Sequence, residues 1–367
     1  MRCSTLCLMG MLSLCLALAC GDGVGGRDAG LDAGPRDAGE DAGEDAGGDE
    51  SPLPDGIYVH AQRGLDAQGA GSPEQPFATL TYAITQASPP TTVYVAAGEY
   101  AESITLREGV SFLGGYHPED WHHRDARAWD DPEHRTAILA TGGIGVVAGT
   151  GVSRATLFEG FYVEGGVETH DHHSHGFYIY DGASPVIRSN KIHGGHGDTY
   201  SNGLSTFSDA APLVERNQIH GGDAAYSYAL RLGETTTTVA NNLVFAGEGT
   251  QESYGLLINN ASPLLANNTI HGGEGASAYG LFFFVATAQE LHNNLILAPG
   301  AAGGSGTCIH EATMTGDVAL LEHNDLFNCP TALYHDWGGS PADIMDVTTL
   351  QAMDVVQASG NVSLSPL

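Results

Sequence analysis

Imidazoles, carboxylates and phenols carry most of the chemistry this sequence offers, and their spacing is uneven. The densest group is His170-Asp171-His172-His173-Ser174-His175. Imidazoles and a carboxylate so close together suit zinc, nickel or copper. A defined site needs three or four converging ligands with support behind them. This run falls in a turn just ahead of a strand at Phe177, so a polar loop that picks up metal adventitiously is the competing reading. The second group is a file. His193, His220 and His271 each follow an apolar residue and precede Gly-Gly, and Phe245 takes the equivalent place in one copy. Asp198, Asp223, Glu248 and Glu274 follow in the next loops, with Tyr200, Tyr226, Tyr228, Tyr254 and Tyr279 beyond them. Sugar rings stack on such aromatic faces and sugar hydroxyls meet acids, which makes His193, His220, His271, Tyr228, Tyr254 and Tyr279 the candidate ligand-binding set. Duplication of a surface residue with its repeat unit accounts for the same pattern without a ligand. The third group is Arg188 with Glu215, and Asp198 and Asp223 near them, a base among acids that a stacked ion pair also explains.

These residues sit in a repeat that must position them. Asn190-Lys191-Ile192-His193-Gly194-Gly195 recurs as Asn217-Gln218-Ile219-His220-Gly221-Gly222, Asn242-Leu243-Val244-Phe245-Ala246-Gly247 and Asn268-Thr269-Ile270-His271-Gly272-Gly273, then more weakly from Asn294 and Asn324. The Asn positions are 27, 25, 26, 26 and 30 residues apart, a period that signals an array of stacked units. Three residues before each Asn and two after it the residue is apolar, and the positions between vary, which is the in-and-out signature of a strand. A second apolar pair lies upstream, as Phe177/Ile179, Leu230/Leu232, Leu256/Ile258 and Leu281/Phe283. No unit holds the 10–12 residue amphipathic run of a helix, which excludes helical and leucine-rich repeats. The solution left is a coil of parallel strands, one turn per unit, stacked about 4.8 Å apart. The Asn file then bonds amide to amide between turns and tolerates the left-handed backbone of a sharp corner.

The 367 residues carry a formal charge of −31, which repels nucleic acid and anionic membrane surfaces and leaves cationic partners open. Four of the six Cys lie in the first twenty residues. Met1-Arg2, an apolar run from Leu6 to Ala19 and small residues before Cys20 form an export signal, too short for a membrane span. Residues 21–55 are an acidic linker in which Asp-Ala-Gly recurs with no apolar face, so it should stay extended and disordered. Folding should start near Gly56. Ile57-Tyr58-Val59 reads as a strand. Phe77, Leu80, Ala83, Ile84 and Ala87 share one helical face with Thr79 as N-cap, a lid over the open end of the stack. His117 to Arg135 is a polar loop rich in His and Arg, and 346–367 is a closing segment with a short helix capped near Asp346 or Thr348. Cys308 and Cys329 fall on neighbouring coils on the same side, a place for a disulfide in an exported chain.

Two stretches resemble known families. Ala17-Leu18-Ala19-Cys20 resembles a bacterial lipoprotein cleavage box, which implies a lipid on Cys20; ordinary signal-peptidase cleavage is the alternative. Ile57-Tyr58-Val59, Pro76-Phe77-x-Thr79-Leu80-x-x-Ala83-Ile84, Val93-Tyr94-Val95-Ala96-x-Gly98-x-Tyr100 and Gly114-Gly115-Tyr116 resemble the uncharacterised N-terminal domain of bacterial right-handed parallel β-helix proteins in the pectin-lyase-like superfamily. That resemblance implies an all-β, right-handed parallel β-helix over 56–345 with an N-terminal capping helix. It also implies that Trp121, Arg124 and Asp125 serve loop packing. The superfamily includes lyases, hydrolases, epimerases and adhesins, so it does not specify an activity. Pectate lyases in it pair acidic calcium ligands with an arginine base, which would make Arg188, Glu215, Asp198 and Asp223 the catalytic candidates and Ca²⁺ the cofactor.

The expectation is an exported, lipid-anchored outer-membrane or cell-surface protein, or a periplasmic or secreted one, acting as a monomer. Its role would be structural or adhesive, toward an envelope polysaccharide or surface protein, with a polysaccharide lyase or glycoside hydrolase as the alternative. It should bind no nucleic acid and touch the membrane only through its N-terminal anchor.

Overall fold

The computed structural model describes residues 52–168, 173–286, 289–314, 318–353 and 357–365. The signal, Cys20 and the Asp-Ala-Gly repeats lie outside the described residues. No helix among those described is long and apolar enough to cross a membrane.

Strands that are parallel but for one antiparallel member at an edge of the first and of the third build three large sheets of twelve, nine and ten strands. From Leu157–Glu159 to Ala332–His335, seven successive turns of the coil each give one strand to every sheet. One such turn runs Val186–Arg188, Lys191–His193, Tyr200–Thr206. Its middle residue Ile187 pairs with Val214 in the first sheet and Ile192 with Ile219 in the second, while Leu204 pairs with Leu230 in the third. All six are fully buried. Apolar files from the three sheets thus meet in one continuous core, while in short strands such as Val186–Arg188 and Lys191–His193 the flanking residues face outward.

The corner between the first and second sheets explains the Asn period. Asn190 Nδ2 donates to Asn217 Oδ1 at 3.1 Å and to Phe158 O at 3.1 Å, and its backbone N–H donates to the same Asn217 Oδ1 at 2.9 Å. The pattern repeats through Asn242, Asn268, Asn294 and Asn324, then reaches Asn361, which the 26-residue period does not reveal. These amides are buried, so each needs its partners. The left-handed residue is not the Asn. It is the one before it, at Ser189 (φ 53°), Arg216 (57°), Asn241 (58°), Asn267 (56°), Asn293 (55°) and His323 (56°). Because the ladder Asn must point inward, the bend falls one position earlier, where most side chains face solvent and their type is free.

Both ends are covered. The helix is shorter than its apolar pattern, Leu80–Gln86, because Phe77 bridges to Val59 instead. Thr79 Oγ1 accepts from Tyr82 N–H at 3.1 Å, and the Glu102 carboxylate takes the N–H groups of Leu80 and Thr81 at 2.9 and 2.8 Å. Leu80 and Ala83 are buried on the core. The polar loop after Tyr116 folds back as strand Asp120–Arg124, antiparallel to Val110–His117. Trp121 is buried there against Tyr58, ring centres 4.9 Å apart. At the other end Asp346 caps Val347–Leu350, and Gln357–Ser359 adds to the first sheet beside Leu320–Glu322. The sulfurs of Cys308 and Cys329 stand at bonding distance with Cα atoms 5.5 Å apart, one turn of the coil from each other.

Candidate functional site

The second sheet has three-residue strands, so each turn shows two outward side chains. The later file runs Glu164, His193, His220, Phe245, His271, Leu297. Its rings stack face to face, His193 on His220 at 6.1 Å and His220 on Phe245 at 5.0 Å, with His271 tilted at 6.1 Å from Phe245. Beside them the Gly-Gly corners let the chain turn toward the third sheet with little bulk. A Cβ at Gly222 would sit 1.8 Å from Gly195 O, so the backbones touch where a side chain cannot fit. The low floor and the longer loops after it leave an open groove of about 710 Å³. His193, His220, Phe245 and His271 line it together with Asp223, Glu248, Thr250 and Glu274. An adjoining hollow shares His193 and His220 and extends the groove to Asp130, Arg135, Tyr162 and Lys191. There Arg135 lies over the Tyr162 ring at 4.5 Å and Lys191 Nζ meets Asp130 Oδ1 at 2.8 Å.

Burial first, and the neighbouring His193 next, push the His220 imidazole down to about 4. Burial also lowers His271, against the opposing pull of Glu274. Both are therefore neutral at pH 7. His193 Nδ1 accepts from Gly195 N–H at 3.2 Å and His271 Nδ1 from Gly273 N–H at 2.9 Å, which leaves Nε2–H as the donor on each ring. The groove thus offers ring edges, Nε2–H donors on His193 and His271, and carboxylate acceptors. That combination suits hydroxyl-rich chains.

The remaining candidates lie elsewhere. Tyr228, Tyr254 and Tyr279 stack at 4.7 and 5.1 Å on the outer face of the third sheet and do not line the groove. Tyr228 and Tyr254 are nearly buried among their neighbours, burial raises both phenols, and Tyr254 Oη donates to the Glu252 carboxylate. The imidazoles and tyrosines expected on one flank are thus two files on two sheets, because the Gly-Gly corner between them changes face. Arg188 and Glu215 are paired on the first sheet at 3.7 Å, inside a chain of ions in which Glu159 bridges Arg124 (2.9 Å) and Arg188 (2.5 Å). Asp223 lines the groove and Asp198 is exposed after the second sheet, so the four catalytic candidates are not one site. His170, Asp171 and His172 lie outside the described residues. His173 stacks on Tyr200 at 4.5 Å. His175 is buried, bonds Ser205 Oγ at 2.9 Å and is pushed down to about 3 by burial and then by His173. Among the described residues no group of three or more His, Cys, Asp or Glu stands placed to hold a metal ion. Sequence reasoning missed Asp130, Arg135 and Tyr162. The turn holding Tyr162 has Phe161 where its successors have Asn, so the repeat is hidden, although Phe161 N–H still bonds Asn190 Oδ1 at 3.0 Å.

Residues 151–329 match the family described as Right handed beta helix region, and residues 63–210 match one described as Protein of unknown function (DUF1565). The fold is a right-handed parallel β-helix. No curated protein matches the chain. Solved structures similar to it include the periplasmic alginate epimerase AlgG (11% identity, 76% of this chain and 61% of that one, TM-score 0.45). A GH136 lacto-N-biosidase from Eubacterium ramulus is 11% identical over 84% of this chain and 68% of that one, TM-score 0.38. A rhamnogalacturonan lyase is 12% identical over 84% and 86%, TM-score 0.31. The chain spans about three fifths of that AlgG structure. Likenesses this distant carry no inference about chemistry.

Proposed function

We propose that this β-helix binds an extended glycan along the groove of its second sheet and acts as an exported surface protein, held by a lipid on Cys20, without processing what it binds. The observation that carries the reading is the file of His193, His220, Phe245 and His271 set against Asp223, Glu248 and Glu274 along one open groove. Rings in a vertical file suit a linear ligand, and imidazole N–H donors with carboxylates suit hydroxyls. The acids and the charge of −31 favour neutral or cationic sugars over polyuronates. An envelope polysaccharide meets these needs, with the chain acting as a monomer. The second reading, a polysaccharide lyase or hydrolase, is favoured by Asp223, Glu248 and Glu274 lining one groove, since paired carboxylates perform glycoside hydrolysis. Calcium is a candidate cofactor of that reading alone.

Affinity electrophoresis of the mature domain in gels containing neutral, amino-sugar and uronate polysaccharides tests the binding reading, beside an assay for reducing ends and unsaturated products. Retardation by a neutral or amino-sugar polymer that is lost in Phe245→Ala, with no product, is expected. Product that disappears in Asp223→Asn or Glu248→Gln would replace binding with catalysis.

A further inference from the structure

Three imidazoles from three separate elements meet near the N-terminal end of the first sheet. His117 ends the strand Val110–His117, His123 lies in the return strand Asp120–Arg124, and His134 precedes the second-sheet strand Thr136–Leu139. Ring centres are 6.0 Å apart for His117 and His123, 5.9 Å for His117 and His134, and 4.7 Å for His123 and His134. Imidazoles sharing one ion with nitrogens about 2.1 Å from it have ring centres about 5 Å apart. The His123–His134 pair is at that spacing already, and His117 stands farther out, at 6.0 and 5.9 Å from the other two.

His134 gives the cluster its direction. It is 7% exposed, and its Nδ1 lies 3.2 Å from Asp131 Oδ2. A carboxylate accepts, so Nδ1 faces it as the donor and Nε2 is the nitrogen left to face a ligand. That Nε2 is buried and has no hydrogen-bond partner. A carboxylate behind an imidazole, with the far nitrogen bare, is the support that metal-ligating histidines use. The hairpin is fixed on both sides of His123: Trp121 is buried, and Arg124 Nε donates to Gly114 O at 2.9 Å while its Nη2 pairs with Glu159. Closing the trio requires the exposed His123 ring to turn, and His117 Nδ1 to release the 3.2 Å bond it accepts from Glu119 N–H. Both movements are side-chain rotations, on a return strand that Trp121 and Arg124 hold in place.

We propose that His117, His123 and His134 bind one divalent ion of the zinc, nickel or copper class, with Asp131 as the positioning residue behind His134. Three neutral nitrogen donors suit these ions and leave a coordination position open. Cobalt(II) titration of the mature chain, followed by its visible d–d absorption and by zinc competition, tests this. His170 and His172 offer competing imidazoles, so the titration is run in parallel on the His170→Ser/His172→Ser chain. The result expected is one equivalent in both chains, lost in His123→Ala and in His117→Ala, and about 10- to 100-fold weaker in Asp131→Asn. His123 is exposed, so its variant should fold even if His134→Ala does not. No absorption, absorption that survives His123→Ala, or absorption that vanishes with His170 and His172 would each overturn the assignment.

Discussion

A buried amide that both gives and takes holds each corner of this coil. Asn242 accepts from the backbone and side-chain nitrogens of Asn217 and donates to Val214 O, Ala240 O and Asn268 Oδ1. Replacing it with Ala strands donors on one side and acceptors on the other, each costing about 1–3 kcal/mol when buried. Asn242→Ala is expected to lower unfolding stability by about 3 kcal/mol or more in urea, whereas the exposed corner residue Arg216→Ala should change it far less. A second residue-scale outcome concerns acid. His175 is held at about 3 and His220 and His310 at about 4 by burial, against an ordinary 6.5. A depressed folded-state value means the unfolded chain takes up these protons first. The stability they contribute is full above pH 6.5, falls as pH drops toward 4, and for His175 continues toward 3. Urea midpoints measured from pH 7 to 4 should therefore decline, and His310→Phe should flatten the decline. A midpoint indifferent to pH in that window would refute it.

At the scale of elements, an open stack of strands needs a lid. Leu80 and Ala83 press the helix Leu80–Gln86 onto the core, and Thr79, Asp66 and Glu102 fix its start. Leu80→Asp puts a charge on that apolar end and should make the domain associate, read by light scattering after size exclusion. A unimodal monomer identical to the parent would contradict the lid. Strands, corner Asn residues and the lid were legible because their signals are local, as with the alternation around Ile192 and Ile219 or the helical spacing of Leu80 and Ala83. Asn361 escaped because the turn before it is stretched to 37 residues. The left-handed position escaped because a solvent-facing corner accepts Ser, Arg, Asn or His alike, which leaves no compositional trace.

For the whole molecule, stacking turns repeats into files, and the file decides what a residue can do. The His file was legible as a file, since register follows from the period. Which files share a face was not, because that depends on how sharply Gly-Gly corners turn the chain. Tyr228, Tyr254 and Tyr279 consequently stack on the third sheet, while Tyr162 and Arg135, from turns without the Asn signature, extend the groove. Arg188 and Glu215 read as a base with acids and form an ion ladder on the first sheet. The most direct test of the glycan groove is a titration of the ¹⁵N-histidine-labelled domain with the oligosaccharide that retards it, read by imidazole resonances. Binding along the second sheet should move the signals of His193, His220 and His271 together and leave those of His310 and His335 unchanged. Shifts confined to His310 and His335, or none on saturation, would contradict the groove as the binding site.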